Sequence, residues 1–288
     1  MRKFQPMLAS KADLGKVNYP CIVSPKLDGI RCVIKDSLPL TRKLKPIPNS
    51  YIRNLLFGLD AYDGEIMIPG KGFNDVQSAV MSESGTPDFE YHIFDMFSDP
   101  SKCYIDRYNC LNLSLREDLS KICKLVKYHI VNNEYELLEY LEKFIKMGYE
   151  GLMIRSLNSP YKFGRSTLNE GYLLKVKKFF DDEAVLTGMI EKMHNTNAKE
   201  KDEIGNSKRS SHKSGMLPAD TVGTFLASWR GKDIRLGFGQ GITDFHKQEF
   251  WNNKDMYIGK TLTFKYQELS PDEMPRFPKF VGFRYDLN

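Results

Sequence analysis

A lysine can attack an electrophile only when its amine is neutral, so a reactive lysine needs desolvation or neighbouring positive charge to shed its proton. Lys26 is the first candidate. It stands in Lys26-Leu-Asp-Gly-Ile-Arg31, where Arg31, together with Arg42, could supply part of such a field. Lys175 and Lys177 are two residues apart in Leu173-Leu-Lys-Val-Lys177. In a strand that period puts both ammoniums on one side, able to grip one phosphate chain. Tyr91-His-Ile-Phe-Asp-Met96 alternates in the same way and places His92, Phe94 and Met96 on one face, where Phe94 could stack on a base. Each feature also has a plain structural reading, as solvated turn flanks, a strand-edge lysine pair or a core ring.

These residues need elements to hold them. Residues 21–34 form two β-rich runs around Asp28-Gly29, a strong signal for tight chain reversal, with Lys26 just before the turn. Further strand-like runs at 63–68, 91–97, 151–155 and 172–176 predict a substantial sheet. A helix is predicted over 134–147, with Asn133 as N-cap, Glu136 at the third position, Leu137, Leu141, Phe144 and Ile145 on one face, and Gly148 at its end. Ser114 with Glu117 predicts another, running to about Val126. After Lys178 the pattern changes to short runs at 184–190, 221–229, 234–238 and 261–266 with glycine-containing turns, which reads as a small all-β barrel. Inside it, residues 194–213 carry almost no large apolar side chain, and such a segment should not fold stably by itself.

Composition sets wider bounds. A chain of 288 residues favours two modest domains or one large one. No run approaches the roughly 18 apolar residues of a membrane span, and the first ten residues lack the apolar stretch of a secretory signal. Five cysteines, without a CxxC pair or metal-ligand spacing, fit reduced thiols and an intracellular location. A formal charge of +5 permits a polyanionic partner without requiring one.

Lys26-Leu-Asp-Gly-Ile-Arg31 matches the KxDGxR signature of the covalent nucleotidyltransferases, and further matches follow in that superfamily's order. They are Leu40-Thr-Arg-Lys-Leu-Lys-Pro-Ile-Pro48, Asp63-Gly-Glu-Ile66, Tyr91 to Met96, Gly148-Tyr-Glu-Gly-Leu-Met-Ile-Arg155 and Leu173 to Lys177. Tyr161-Lys-Phe-Gly-Arg-Ser-Thr167, Asn195-Thr-Asn197, Ser207-Lys-Arg-Ser210, His212-Lys-Ser-Gly215 and Pro275-Arg-Phe-Pro-Lys279 extend the likeness nearly end to end. By these motifs the chain resembles the compact ATP-dependent DNA ligases of the Chlorella virus type. Six motifs in one order are far more specific than any one of them.

The resemblance implies an α+β fold: a nucleotidyltransferase (ATP-grasp-like adenylation) domain with antiparallel sheets and flanking helices over 1–179, then an all-β OB-fold domain over 180–288. A latch-like insert would occupy about 192–217. It also implies ATP and Mg²⁺ (or Mn²⁺) as cofactors and nicked duplex DNA as partner, clamped by a single chain. Lys26 would carry AMP. Ser24, Asp28, Arg31, Glu65, Phe94, Glu150, Arg165, Lys175 and Lys177 would complete the nucleotide site, with Glu65 and Glu150 also as metal ligands. Arg31, Arg42 and Arg165 would hold the 5′-phosphate of the nick. Lys199, Lys201, Lys208, Arg209 and Lys213 would meet DNA from the latch. Larger relatives end in an RxDK motif that orients pyrophosphate; here Arg284-Tyr-Asp-Leu287 lacks the lysine, so only Arg284 and Asp286 would serve.

Two alternatives stand beside that reading. An mRNA-capping guanylyltransferase or RNA ligase of the same superfamily would differ in using GTP or RNA ends. A non-catalytic OB-type nucleic-acid binder would have no use for Lys26 with both carboxylates and would retain no label from either nucleotide.

Overall fold

The structure, a computed structural model, describes residues 4–114, 120–202, 205–239, 241–270 and 272–284. The chain divides into two compact units: the first holds the described residues up to Lys177 together with Gly205 and Asn206, and the second holds Lys178–Asp202 and those from Ser207 onward. In chain order the first unit opens with β1 (Ser10–Lys11), β2 (Cys21–Lys26), β3 (Ile30–Lys35), β4 (Leu38–Thr41) and α1 (Ser50–Leu56). It continues with β5 (Tyr62–Met67), α2 (Phe73–Met81), β6 (Glu90–Met96), α3 (Tyr104–Ser114), β7 (Cys123–Leu125) and β8 (His129–Val131). It closes with α4 (Glu134–Lys146), β9 (Gly151–Ser156) and β10 (Leu173–Lys177).

These strands make two five-stranded sheets, ordered β1-β10-β9-β2-β8 and β4-β3-β5-β6-β7, antiparallel except for the β1/β10 and β6/β7 pairs. Each sheet buries one face against its own helices. Cys21, Val23, Leu152, Ile154 and Leu174 of the first pack with Leu137 and Phe144 of α4. Cys32, Ile34, Ile66, Tyr91 and Ile93 of the second pack with Ile52 and Leu56 of α1 and Val76 and Val80 of α2. Helix α4 starts where expected, because the Asn133 carboxamide oxygen accepts the Glu136 amide at 2.9 Å.

Two local expectations fail for tertiary reasons. Asp28-Gly29 does not close a hairpin: β2 and β3 belong to different sheets, and the turn is the step between them. The helix predicted from Ser114 to about Val126 does not extend over residues 120–126. Ser114 ends α3, residues 115–119 lie outside the described residues, and residues 123–125 pair in parallel with Tyr91, His92 and Ile93. Pairing with a buried strand overrides the local helix signal there.

The second unit is a closed barrel, with β11 (Phe180–Asn195) and β14 (Met216–Trp229) flanking the short β12 (Lys199–Lys201) and β13 (Ser207–Arg209). It is completed by β15 (Lys232–Phe238), α5 (Asp244–Asn252), α6 (Lys254–Tyr257), β16 (Thr261–Tyr266) and β17 (Lys279–Phe283), with barrel order β11-β14-β15-β17-β16. Alternate residues Phe225, Ala227 and Trp229 of β14 point inward onto Leu236, Phe264 and Phe280, and Phe250 of α5 packs with them. Closure leaves the barrel strands without a free edge.

Within the polar segment of this unit, of which residues 203 and 204 lie outside the described residues, two short strands are formed despite its composition. Strands β12 and β13 pair as a hairpin, Lys199 opposite Arg209 and Lys201 opposite Ser207. Side-chain amides replace the missing apolar core. Asn195 and Asn197 donate to the Ser210 carbonyl at 2.8 and 2.9 Å, and Asn197 donates also to that of His212 at 3.0 Å. Among the described residues no helix is long and apolar enough to cross a membrane.

Candidate active site

The two sheets of the first unit face each other across a cleft. Ser24 and Lys26 of β2, Met153 and Arg155 of β9, and Leu173 and Lys175 of β10 line it from one sheet; Arg31, Glu65 and Phe94 line it from the other, with Arg42 just beyond β4. Leu8, Ala9 and Arg165 complete it. Six basic side chains therefore meet one lining carboxylate, a surplus that favours a polyphosphate.

Two glycines let the backbones come this close. A Cβ on Gly29 would sit 2.3 Å from the Ile66 carbonyl oxygen, so only glycine lets the turn after Lys26 lie against β5. Gly151, at φ +156°, approaches β10 so closely that a Cβ would lie 2.2 Å from the Val176 carbonyl oxygen. The preceding Glu150 amide donates to the Lys26 carbonyl at 3.1 Å. Glu150 is thereby fixed beside the end of β2.

The Lys26 ammonium contacts one oxygen of Glu150 and the Lys177 ammonium the other, and Lys26 Nζ also donates to the Leu27 carbonyl at 3.3 Å. Burial pushes the Glu150 carboxyl up, but the two ammoniums outweigh it and hold the group below its usual range. Glu150 thus stands in an ion pair with the nucleophile candidate, a partnership that sequence reasoning did not assign. Lys175 is lowered by burial and then by Lys177, Lys26 and Arg165, with Glu150 opposing. Arg42 is likewise lowered by burial and by Arg165 and Arg31, and among the described residues it forms no ion pair. Arg165 donates to the Ala9 carbonyl at 2.6 Å. These crowded cations would gain most from an incoming anion.

Arg31 is held differently. Its Nε and Nη2 donate to the two oxygens of buried Asp63 at 2.5 Å each, Nη2 donates also to the Met7 carbonyl at 3.1 Å, and its guanidinium lies 4.7 Å from the Phe94 ring centre. Tyr161 donates to the same Asp63 at 2.5 Å. Neither Asp63 nor Tyr161 had a role assigned from sequence, although an aspartate within the β5 run and a tyrosine in a polar motif were the available signals. On β6 the register passes from Gly64 opposite Ile93 to Asp63 opposite Asp95, leaving Phe94 as the extra residue of a bulge. The bulge corrects the expected common face of His92, Phe94 and Met96. Phe94 lines the cleft, while Met96 joins Tyr91 and Ile93 in the core and His92 contacts Glu90 at 2.8 Å.

Burial pushes the Glu65 carboxyl up to about 7, against the opposing pull of Arg31 and Lys26. A carboxyl raised in the folded state binds its proton more tightly there, so its contribution to stability is full below the ordinary value near 4.5 and is lost as pH rises through 7. Glu65→Gln, which mimics the protonated form, should melt within about a degree of the parent at pH 5 and a few degrees above it at pH 8, without nucleotide or metal. Equal melting shifts at both pH values would contradict this.

Some predicted residues lie elsewhere. Asp28 does not line the cleft. Lys199, Lys201, Lys208, Arg209 and Lys213 sit on or beside the β12/β13 hairpin of the second unit, where the Arg209 guanidinium contacts the Asn197 carbonyl. Arg284 donates to Glu183 at 2.5 Å on the barrel, and Asp286 lies outside the described residues. Among the described residues no three His, Cys, Asp or Glu side chains group as metal ligands.

Comparison with known proteins identifies the family of the chain. The family model for an ATP dependent DNA ligase domain matches residues 6–177, and that for a DNA ligase OB-like domain matches 217–284. A DNA ligase of African swine fever virus is 27% identical over 239 residues, 78% of this chain and 51% of that protein. The chain thus spans about half the length of the first such relatives. The crystal structure of Chlorella virus DNA ligase-adenylate is 34% identical, covers 99% of each chain and superposes with a TM-score of 0.56. A structure from work on Lig E DNA ligases, described as binding DNA with a minimal scaffold, is 25% identical with a TM-score of 0.74 and covers 97% of this chain and 99% of its own.

Proposed function

Because the chain belongs to the ATP-dependent DNA ligases, with a nucleotidyltransferase unit followed by an OB-fold unit, we propose that it seals nicks in duplex DNA through AMP carried on Lys26. The observation that carries the reading is the cleft itself. A lysine amine lies at its wall, a carboxylate contacts that amine, and Arg42, Arg165 and Lys175, which pair with no carboxylate among the described residues, stand around it.

In the first step Lys26 Nζ attacks the α-phosphorus of ATP, the bond to pyrophosphate breaks, and an N–P bond forms. The Glu150 carboxylate in contact with Nζ orients the amine, which gives its proton to solvent before it attacks, since a carboxylate held below its usual range is a poor base. Lys175 and Lys177 neutralise charge building on the phosphate oxygens. In the second step an oxygen of the nick's 5′-phosphate attacks the same phosphorus and the N–P bond to Lys26 breaks. In the third, the 3′-hydroxyl attacks the 5′-phosphate, a phosphodiester forms, and AMP leaves. Arg42 and Arg165, neither held by a carboxylate among the described residues, would hold the 5′-phosphate, whereas Arg31 is fixed by Asp63 and positions more than it reaches.

A magnesium ion takes most of its ligands from water and phosphate and needs only one or two protein carboxylates. Glu65, which lines the cleft, fits that modest requirement, whereas Glu150 would have to give up a lysine contact to join it, and the ion would supply further charge neutralisation on the phosphates. We place the reaction inside a cell, on a single chain. Five free cysteines, three of them buried, support a reducing compartment. The barrel and its basic hairpin would meet the duplex mainly through phosphates, so binding should be insensitive to sequence.

Phe94 tests the nucleotide half of the reading. Phe94→Ala should raise the KM for ATP in adduct formation by roughly 5- to 100-fold, as expected for about 1–3 kcal/mol of stacking, while Phe94→Tyr should remain within about threefold of the parent. An alanine variant with unchanged KM would remove Phe94 from the base site.

A further inference from the structure

The bulge that turns Phe94 into the cleft is tied to helix α3 by a buried polar network. The Tyr104 hydroxyl donates to the Phe94 carbonyl at 3.1 Å. Asp95, the next residue and wholly buried, accepts its own neighbour's amide, that of Met96, at 2.9 Å. The same carboxylate accepts Arg107 Nε at 2.8 Å and Nη2 at 3.1 Å from α3, and Arg155 Nη1 at 2.7 Å from β9. Arg107 Nη1 donates on to the Ser159 carbonyl at 2.9 Å, and the Arg155 guanidinium lies 4.5 Å from the Tyr104 ring centre.

Taking ions this far from water is costly unless every hydrogen-bonding group is matched, and here the matching is concentrated on one irregular residue pair. A bulge left to itself has an unpaired carbonyl and freedom to slip by one residue, which would exchange Phe94 with its neighbour between cleft and core. The Tyr104 hydroxyl satisfies that carbonyl, and the Asp95 carboxylate locks the residue beside it to α3 and β9.

We propose that Tyr104 and Arg107 of α3 are positioning residues for nucleotide binding, acting through Asp95 and the β6 bulge to hold Phe94 in the orientation that receives the base. The inference rests on the assignment of Phe94 as the base platform. Neither residue reaches the cleft: Tyr104 is 1% exposed, Arg107 is 1% exposed, and neither lines it. Their effect should therefore appear in ATP affinity and only through Phe94.

Tyr104→Phe is the informative variant, because it deletes one hydroxyl and keeps the ring under Arg155, whereas loss of the wholly buried Arg107 endangers folding. Covalent labelling by α-labelled ATP would be measured across ATP concentrations for the parent, Tyr104→Phe, Phe94→Ala and the double variant. Tyr104→Phe should raise KM by about three- to tenfold with kcat within about twofold, and the double variant should match Phe94→Ala alone, since contacts that act through one group are not additive. A generally weakened fold would instead lower kcat or the active fraction and would compound with Phe94→Ala. An unchanged KM in Tyr104→Phe, or effects that multiply in the double variant, would overturn the inference. Failure of Phe94→Ala itself to change KM would remove the platform assignment on which it rests and is read separately from the same data.

Discussion

Lys26→Ala is expected to abolish labelling by α-labelled ATP and to lower ATP-driven nick sealing by roughly four orders of magnitude or more, because no neighbouring group can replace the N–P bond. The fold should tolerate the change. Lys26 is at the end of β2 with its head partly exposed, and Glu150 keeps its second partner, Lys177, when the first is gone. The same variant should retain measurable sealing of a nick that already carries 5′-linked AMP, since that step uses the cations of the cleft and not the lysine nucleophile. Assaying both substrates separates chemistry from folding. Normal ATP-driven sealing by the variant would remove Lys26 from the mechanism, and loss of both activities would point to a damaged cleft.

Replacing residues 196–213 with a short Gly-Ser turn should leave Lys26 adenylylation within about twofold of the parent and reduce nick affinity by roughly two orders of magnitude at 50 mM salt. The reason lies in the charge of the β12/β13 hairpin. Lys199, Lys201 and Lys208 are exposed on it and Lys213 follows, while Arg209 is partly turned in toward Asn197. Each phosphate contact contributes about 0.9 to the salt slope, so four such contacts should flatten the slope by about 3 to 4 when they are removed. Filter binding of nicked duplex over a salt series measures both quantities. Equal affinity and equal slope in parent and deletion would make the hairpin an idle surface feature.

Most of the polar residues at the cleft were legible in sequence because their chemistry is written in type and spacing. Lys26, Lys175 and Lys177 gather at Glu150 or the cleft, and Arg42, Glu65, Phe94 and Arg165, each singled out by its motif, line it. The supports were not legible. Asp63 and Asp95 lie in strands whose neighbours are apolar, and a buried carboxylate there demands a cation, but which cation depends on how two sheets and α3 meet. The bulge at Phe94 escaped for a related reason. Strict alternation predicts Met96 beside Phe94, and only the register against β5 reveals the extra residue. The stretch 123–125 misled in the opposite sense, since a capping signal upstream favoured helix until pairing with β6 decided for strand. Local pattern thus located the reactive groups, while long-range partners decided how they are held.

AMP must become covalently attached at one lysine if the cleft works as proposed. Incubation of the full chain with α-labelled ATP and Mg²⁺, denaturation, and peptide mass spectrometry should show a single adduct of AMP mass, on Lys26, formed with ATP and not with GTP. No adduct after denaturation, or an adduct on a residue other than Lys26, would contradict it.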